Sequence, residues 1–280
     1  MKHAFLLILS IFVLASPAYA KDETGVIAIR SAPIVLRPDQ AYILLRIDQT
    51  QSSLAAVQPV FLRAPTDAEA ARYLAAKQAA FTRDLPELIA ENKKQGNAPP
   101  IIDQYAFNYE GPKNVFVVTK GTSLEGKGDF RTYLLELSPG DYIFYGSSAA
   151  TLSSSASVLD TCNCLGTVGF HAEAGVITDL GTFLFDGVSR KSAIPELAAE
   201  TGLGESYGND VIGAAIRPAT KDAIVPSAVT SLARKPAAYY AVGTFVEPGT
   251  DNINRLAPIP GILHYSNGRV VDDATGSILP

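Results

Sequence analysis

The 280-residue chain has no tryptophan, only two cysteines and only three histidines. Two cysteines exclude a disulfide-dense scaffold, and so few histidines argue against a His-based zinc site. Lys and Arg never cluster beyond a pair (Lys93-Lys94, Arg190-Lys191, Arg234-Lys235) and the formal net charge is −5. The basic stripe of a nucleic-acid binder is therefore missing. HExxH, P-loop, GxGxxG and paired CxxC patterns are absent as well, which removes the commonest metal and nucleotide signatures. Beyond the first twenty residues no run approaches eighteen apolar residues, too short for a membrane-crossing helix. The lipid-facing alternation of an outer-membrane barrel is not sustained through the Ala-rich and Pro-rich stretches. What is present, 18% charged and 9% aromatic residues over this length, is an ordinary globular composition that buries a core without covalent staples.

The first twenty residues read as an address. Lys2 supplies a positive start, and Ala4 to Ala15 are apolar except for Ser10. Ser16-Pro17 break that run before the small-x-small site Ala18-Tyr19-Ala20, the three-part pattern of a secretory signal peptide. As a helix the run would rise about 18 Å, short of a hydrocarbon core of about 30 Å. The expectation is cleavage after Ala20, a mature chain from Lys21, and a periplasmic or secreted location that permits disulfides. Position 21 is lysine, not cysteine, so a lipid-modified start is not expected.

Between turn residues, short β-forming segments recur. They run over Gly25–Arg30, Ala41–Asp48, Val57–Arg63, Asn114–Lys120, Phe130–Leu137, Asp141–Gly146, Leu165–Ala172 and Val176–Phe185. Ser138-Pro139-Gly140 and Glu173-Ala174-Gly175 are the tight-turn signals between neighbours. The pattern predicts a mainly β chain, an antiparallel β-sandwich over about 21–190. Thr66 to Gln95 interrupts it with Ala-rich helical sequence, capped at Thr66 or Asp67. Leu74, Phe81, Leu85 and Leu88 share one face, so an amphipathic helix packed on a sheet is expected, with a break or restart near Asp84-Leu85-Pro86. Ser147 to Ser157 reads as a Ser-rich loop. Residues 191–280 read as a short helix (Ser192–Thr201) and an irregular Pro-rich tail laid over the sandwich, with a second short helix at Ser227–Ala233.

Few residues carry recognisable chemistry. Cys162-Asn163-Cys164 allows a local structural disulfide, a thiolate site for a soft metal such as Cu(I) with His171 as a third ligand, a redox-active pair, or an intermolecular bond. A flat strand holds alternate Cα atoms about 6.5–7 Å apart, so a bridge needs a bend at Asn163. The structural disulfide is the favoured reading. Gly204-Glu205-Ser206-Tyr207-Gly208 matches G-x-S-x-G, but the predicted order around it, helix before and strand after, is the reverse of a nucleophile elbow. A triad on Ser206 would need His264 with Asp210, Asp222 or Asp251, and the parallel βαβ sheet that supports one is not predicted. Asp272-Asp273 suits a solvated turn. Tyr105, Tyr109, Tyr239 and Tyr240 suit half-buried packing better than a carbohydrate or peptide surface.

Leu137-Ser138-Pro139-Gly140-Asp141-Tyr142, then Leu165 to Phe170 and Ala174 to Gly181, form a layout that resembles uncharacterised exported bacterial β-sandwich proteins with an L-x-P-G-x-Y turn. The turn is similar to that of transthyretin-like and carboxypeptidase-regulatory-like sandwiches. The resemblance covers about 130–185 and implies a compact extracytoplasmic sandwich; it transfers no functional residue. The expected function is that of an exported, non-catalytic envelope protein without a cofactor. It would bind or scaffold a protein or glycan partner and no nucleic acid. The alternative is a copper-binding or redox protein using Cys162 and Cys164.

Overall fold

The computed structural model describes residues 25–52, 56–111, 113–150, 158–187, 191–198, 212–245 and 253–280. The N-terminal address, Ser206 and its glycines, Asp210 and Asp251 lie outside the described residues. Two sheets face each other. The first holds β1 (Ile27–Ile29), β2 (Ala41–Asp48), β5 (Glu125–Lys127), β6 (Phe130–Leu137), β10 (Ile177–Gly187), β11 (Ile212–Arg217) and β12 (Arg234–Pro236). The second holds β3 (Val57–Arg63), β4 (Val115–Val117), β7 (Gly140–Ala150), β8 (Val158–Cys162), β9 (Thr167–Ala172) and β13 (Tyr240–Val242). A C-terminal meander follows, with β14 (Leu263–Ser266), β15 (Arg269–Asp272) and β16 (Ser277–Ile278). The chain is thus mainly β, a sandwich with one helical insertion, as its pattern predicts.

Alternation along the strands explains the layering. Ile43, Leu45 and Ile47 of β2, Tyr133 and Leu135 of β6, and Phe183 and Phe185 of β10 point between the sheets. They meet Phe61 of β3, Phe116 of β4, Phe144 of β7 and Phe170 of β9. The opposite face of the first sheet is buried too. Tyr42, Leu44, Leu134 and Ile177 lie under Ile34, Leu36, Val225, Val229 and Leu232 from the Pro-rich segments. This double burial is why Ala41 to Leu45 of β2 read as a continuous apolar run rather than an alternating one.

The order β1-β6-β2-β10-β11 sets β2 antiparallel to β6 and parallel to β10, and β12 is also parallel to β10. These parallel pairings depart from the purely antiparallel expectation. The turns at 138–140 and 173–175 are not hairpins either: each carries the chain from one sheet to the other. The L-x-P-G-x-Y sequence fits that corner. Gly140 takes φ 146°, and the buried Tyr142 hydroxyl donates to the Ser138 carbonyl at 2.7 Å. Tyr142→Phe is expected to cost about 1 kcal/mol, the worth of one buried hydrogen bond, in a chemical-denaturation experiment.

Three sequence expectations change. The Ser-rich stretch from Ser147 extends β7 to Ala150, paired with both β3 and β8, because small residues pack where those strands crowd. The short helices near 192 and 227 are single 3₁₀ turns within the described residues, Pro195–Leu197 and Ser227–Val229. The Pro-rich C-terminal third does cover the first sheet, but it also adds β11 and β12 to that sheet and β13 to the other. Pro236 sits where β12 borders β10 with no further strand beyond it among the described residues, the position a residue without an N–H tolerates.

Candidate functional site

β3 and β4 are neighbours in the second sheet, yet the chain between them makes a long excursion. Its first half is α1 (Asp67–Gln95), whose 29 residues span about 43 Å. Thr66 accepts from the Glu69 N–H, Glu69 reaches back to the Thr66 N–H, and Gly96 closes the helix at φ 70°. The predicted break near Asp84 does not occur, and the helix runs through Pro86. Tyr105 braces the turn before that proline, packing on Phe81 and donating to the Asp84 carboxylate.

The helix does not lie on a sheet, which corrects the packing expectation. Its partner is the extended return segment, whose alternate aromatics Tyr105, Phe107 and Tyr109 stack on one another and on Tyr73 and Phe81. Ala80 is the one fully buried residue of α1 among those described. Phe81, Leu85 and Leu88 are half-buried, as their shared face requires, but Leu74 remains 63% exposed. The helix and its return strand form an arm rising from the sandwich.

Leu74 is exposed because the two halves of the arm separate at its base. There they leave a cleft of about 650 Å³ lined by Pro65, Ala70, Tyr73, Leu74, Tyr109 and Val115, among others. Val115, the first residue of β4, is 42% exposed and presents its side chain to this space. Arg63, Glu69 and Asn114 on the rim are already engaged. Arg63 forms two bonds to Glu69, at 3.0 and 2.7 Å, and Asn114 donates to the Arg63 carbonyl. The Arg63 guanidinium and the Thr66 N–H hold the Glu69 carboxyl down at about 2. The pair therefore stays charged and bonded at any ordinary pH, leaving the open wall apolar. Periodicity assigns Leu74 to a buried face; one apolar residue left out of its own stripe is the signal that marks the cleft, and it emerges only when the arm's two halves are placed.

The described residues singled out for chemistry lie elsewhere and do not converge. Cys162 and Cys164 stand at disulfide distance, Cα atoms 5.2 Å apart, and both are buried. Asn163 makes the bend by donating its N–H to the Tyr145 carbonyl, and the tail encloses the triplet, with Asn254 donating to Cys162 and Phe245 to Cys164. The pair is enclosed, whereas thiol exchange or metal capture needs an accessible sulfur. His171 lies on β9 opposite Asp141, five positions along β7 from Gly146, the partner of Cys162. That is roughly 16 Å away, too far for a shared ion. Among the described residues no three His, Cys, Asp or Glu side chains gather to hold a metal.

His264 is hydrogen-bonded to Asp273, and that bond holds the Asp273 carboxyl below its usual range. Asp222 is exposed on a turn, and Asp272 caps its own turn through Ala274 and Thr275. Tyr239 is a packing residue whose hydroxyl donates to the Leu180 carbonyl, while Tyr240 is partly exposed on β13.

The most unusual electrostatics are structural. Asp179 of β10, fully buried, accepts two bonds from Arg46 of β2 (2.8 and 2.9 Å), one from Arg234 of β12 (2.7 Å) and one from the Gly181 N–H (3.0 Å). Burial pushes its carboxyl up, but the two guanidiniums and the amide outweigh that and hold it below the ordinary carboxylate range. Nearby, Glu136 is bound by Tyr42 and Arg37.

The fold and cleft together define a β-sandwich with an inserted helical arm and an apolar cleft at the arm's base. Compared with protein-family models, curated proteins and solved structures, the chain matches none.

Proposed function

We propose that this protein is an exported, non-catalytic binding module of the cell envelope whose recognition site is the cleft between α1, its return segment and β4. The observation that carries this reading is the cleft itself: about 650 Å³ of open, mostly apolar space with Leu74 standing exposed over it. The leader-like first twenty residues and the cysteine pair at disulfide distance support the extracytoplasmic address. The apolar wall favours a partner that inserts aliphatic or aromatic groups over a glycan, whose hydroxyls would find Arg63, Glu69 and Asn114 already engaged. The thiol-based alternative lacks the accessible sulfur it requires.

The test uses an anilinonaphthalenesulfonate dye as a reporter of apolar binding sites. The protein should bind it with saturable fluorescence enhancement, and Leu74→Asp should weaken binding about tenfold, the value of one buried Leu contact. Unchanged binding in that variant would remove the cleft from consideration. Hydrolysis of an ester, peptide or glycoside that Ser206→Ala abolishes would overturn the non-catalytic reading.

A further inference from the structure

The return segment meets α1 with every second residue. Tyr105, Phe107 and Tyr109 are half-buried and follow one another with ring centroids 6.2 and 6.0 Å apart, while Ala106, Asn108 and Glu110 between them are exposed. An extended chain repeats its facing every two residues, so the next inward place belongs to Gly111, which is again half-buried. Glycine sends no side chain into that place. The Tyr109 ring leans into it instead: a Cβ on Gly111 would overlap the ring at Cε1, Cζ and Oη. The φ of Gly111 lies outside the left-handed region, so its backbone conformation does not itself demand glycine. What requires glycine here is the ring.

Two further neighbours hem Tyr109 in. Tyr73 of α1 meets it edge-on, centroids 5.2 Å apart at 80°, and Phe107 stands beside it on the segment. Tyr109, Gly111, Tyr73 and Leu74 all line the cleft, so the ring that Gly111 admits is also a wall of the apolar space. We propose that Gly111 is the positioning residue of the cleft: by leaving room for the Tyr109 ring it fixes that wall and with it the size of group the cleft admits. The inference rests on the binding reading above and names the residue that sets the dimensions of its site.

A side chain at position 111 must displace the ring, either into the cleft, which fills it, or out to solvent, which removes its wall. Gly111→Ala in the full mature protein should therefore weaken binding of the anilinonaphthalenesulfonate dye at least about fivefold. The Overhauser contacts between the Tyr73 and Tyr109 rings should be lost in the same variant. The urea midpoint of the sandwich should stay at the wild-type value, because its central core includes no residue of the arm. In a Tyr109→Leu background, whose side chain lacks the three overlapped atoms but keeps the wall apolar, Gly111→Ala should change dye binding by less than about twofold. Wild-type dye binding and intact ring contacts in Gly111→Ala overturn the proposal. An equal loss of binding in both backgrounds overturns it too, since Gly111 would then act by a route other than Tyr109. A wild-type protein that binds no dye removes the cleft reading instead, and the ring contacts alone then decide: retained in Gly111→Ala they overturn the placing of Tyr109 by Gly111, and lost they uphold it.

Discussion

Asp179→Asn is expected to destabilise the protein by about 3–5 kcal/mol, enough to remove much of the stability of an ordinary domain. The substitution keeps the size of the side chain but takes away the charge that Arg46 and Arg234 were folded around. Arg46 is itself buried, so its guanidinium cannot recover hydration while the sheet remains closed. Urea unfolding at neutral pH measures the loss directly. Glu196→Gln, which breaks an ion pair with the exposed Arg217, supplies the contrast and should cost less than about 1 kcal/mol. The pH dependence has a definite sign. Asp179 titrates lower in the folded chain than in the unfolded one, so its stabilisation is complete above the unfolded value of about 3.9. It is lost as pH falls through the lower folded value. The wild type should therefore weaken progressively below about pH 4, and the Asn variant should lack this share of the acid limb. A variant within 1 kcal/mol of wild type at pH 7 would show the network to be dispensable.

The second large effect is at Phe61. Its ring lies against four others, 5.4 Å from Phe116, 5.7 Å from Phe144, 6.1 Å from Phe170 and 5.7 Å from Phe183, and so joins three strands of one sheet to β10 of the other. Phe61→Ala empties the centre of the sandwich where no neighbour can fill the space without abandoning its own contacts. The expected cost is about 3–5 kcal/mol, read as a lower urea midpoint. Phe61→Leu should lose less, because most of the volume is restored. An Ala variant as stable as the Leu variant would mean that the rings collapse onto the vacancy.

Both residues illustrate what could be read beforehand. The bounds of β2, β3 and β6 follow directly from apolar runs ended by turn residues, and the Thr66 cap with Glu69 marks the start of α1. Phe61 belongs to such a run, so its burial is legible. Asp179 and Arg46 carried a weaker signal: each is a charge, the two of opposite sign, inside a largely buried segment. Their pairing depends on β2 and β10 lying side by side, which residues so far apart in the chain do not announce. The same holds for the cleft. Leu74 obeys the helical period, and only the divergence of the return segment leaves it uncovered. Ser147 to Ala150 were hidden by composition, since small residues such as serine and alanine do not mark a strand unless tertiary pairing recruits them.

The parallel pairing of β2 with β10 bears on when the molecule can assemble. Tyr42 meets Ile177, and Ile47 meets Phe183, so the central strand of the first sheet waits for a partner synthesised long after it. The β5–β6 pair and the arm can form from nearby sequence, but the interior around Phe61 closes only after β10 has arrived. Chains dominated by such distant contacts collapse slowly, because loop closure must precede the contacts that reward it. An emerging N-terminal half therefore lacks one neighbour of β2 until β10 has been made.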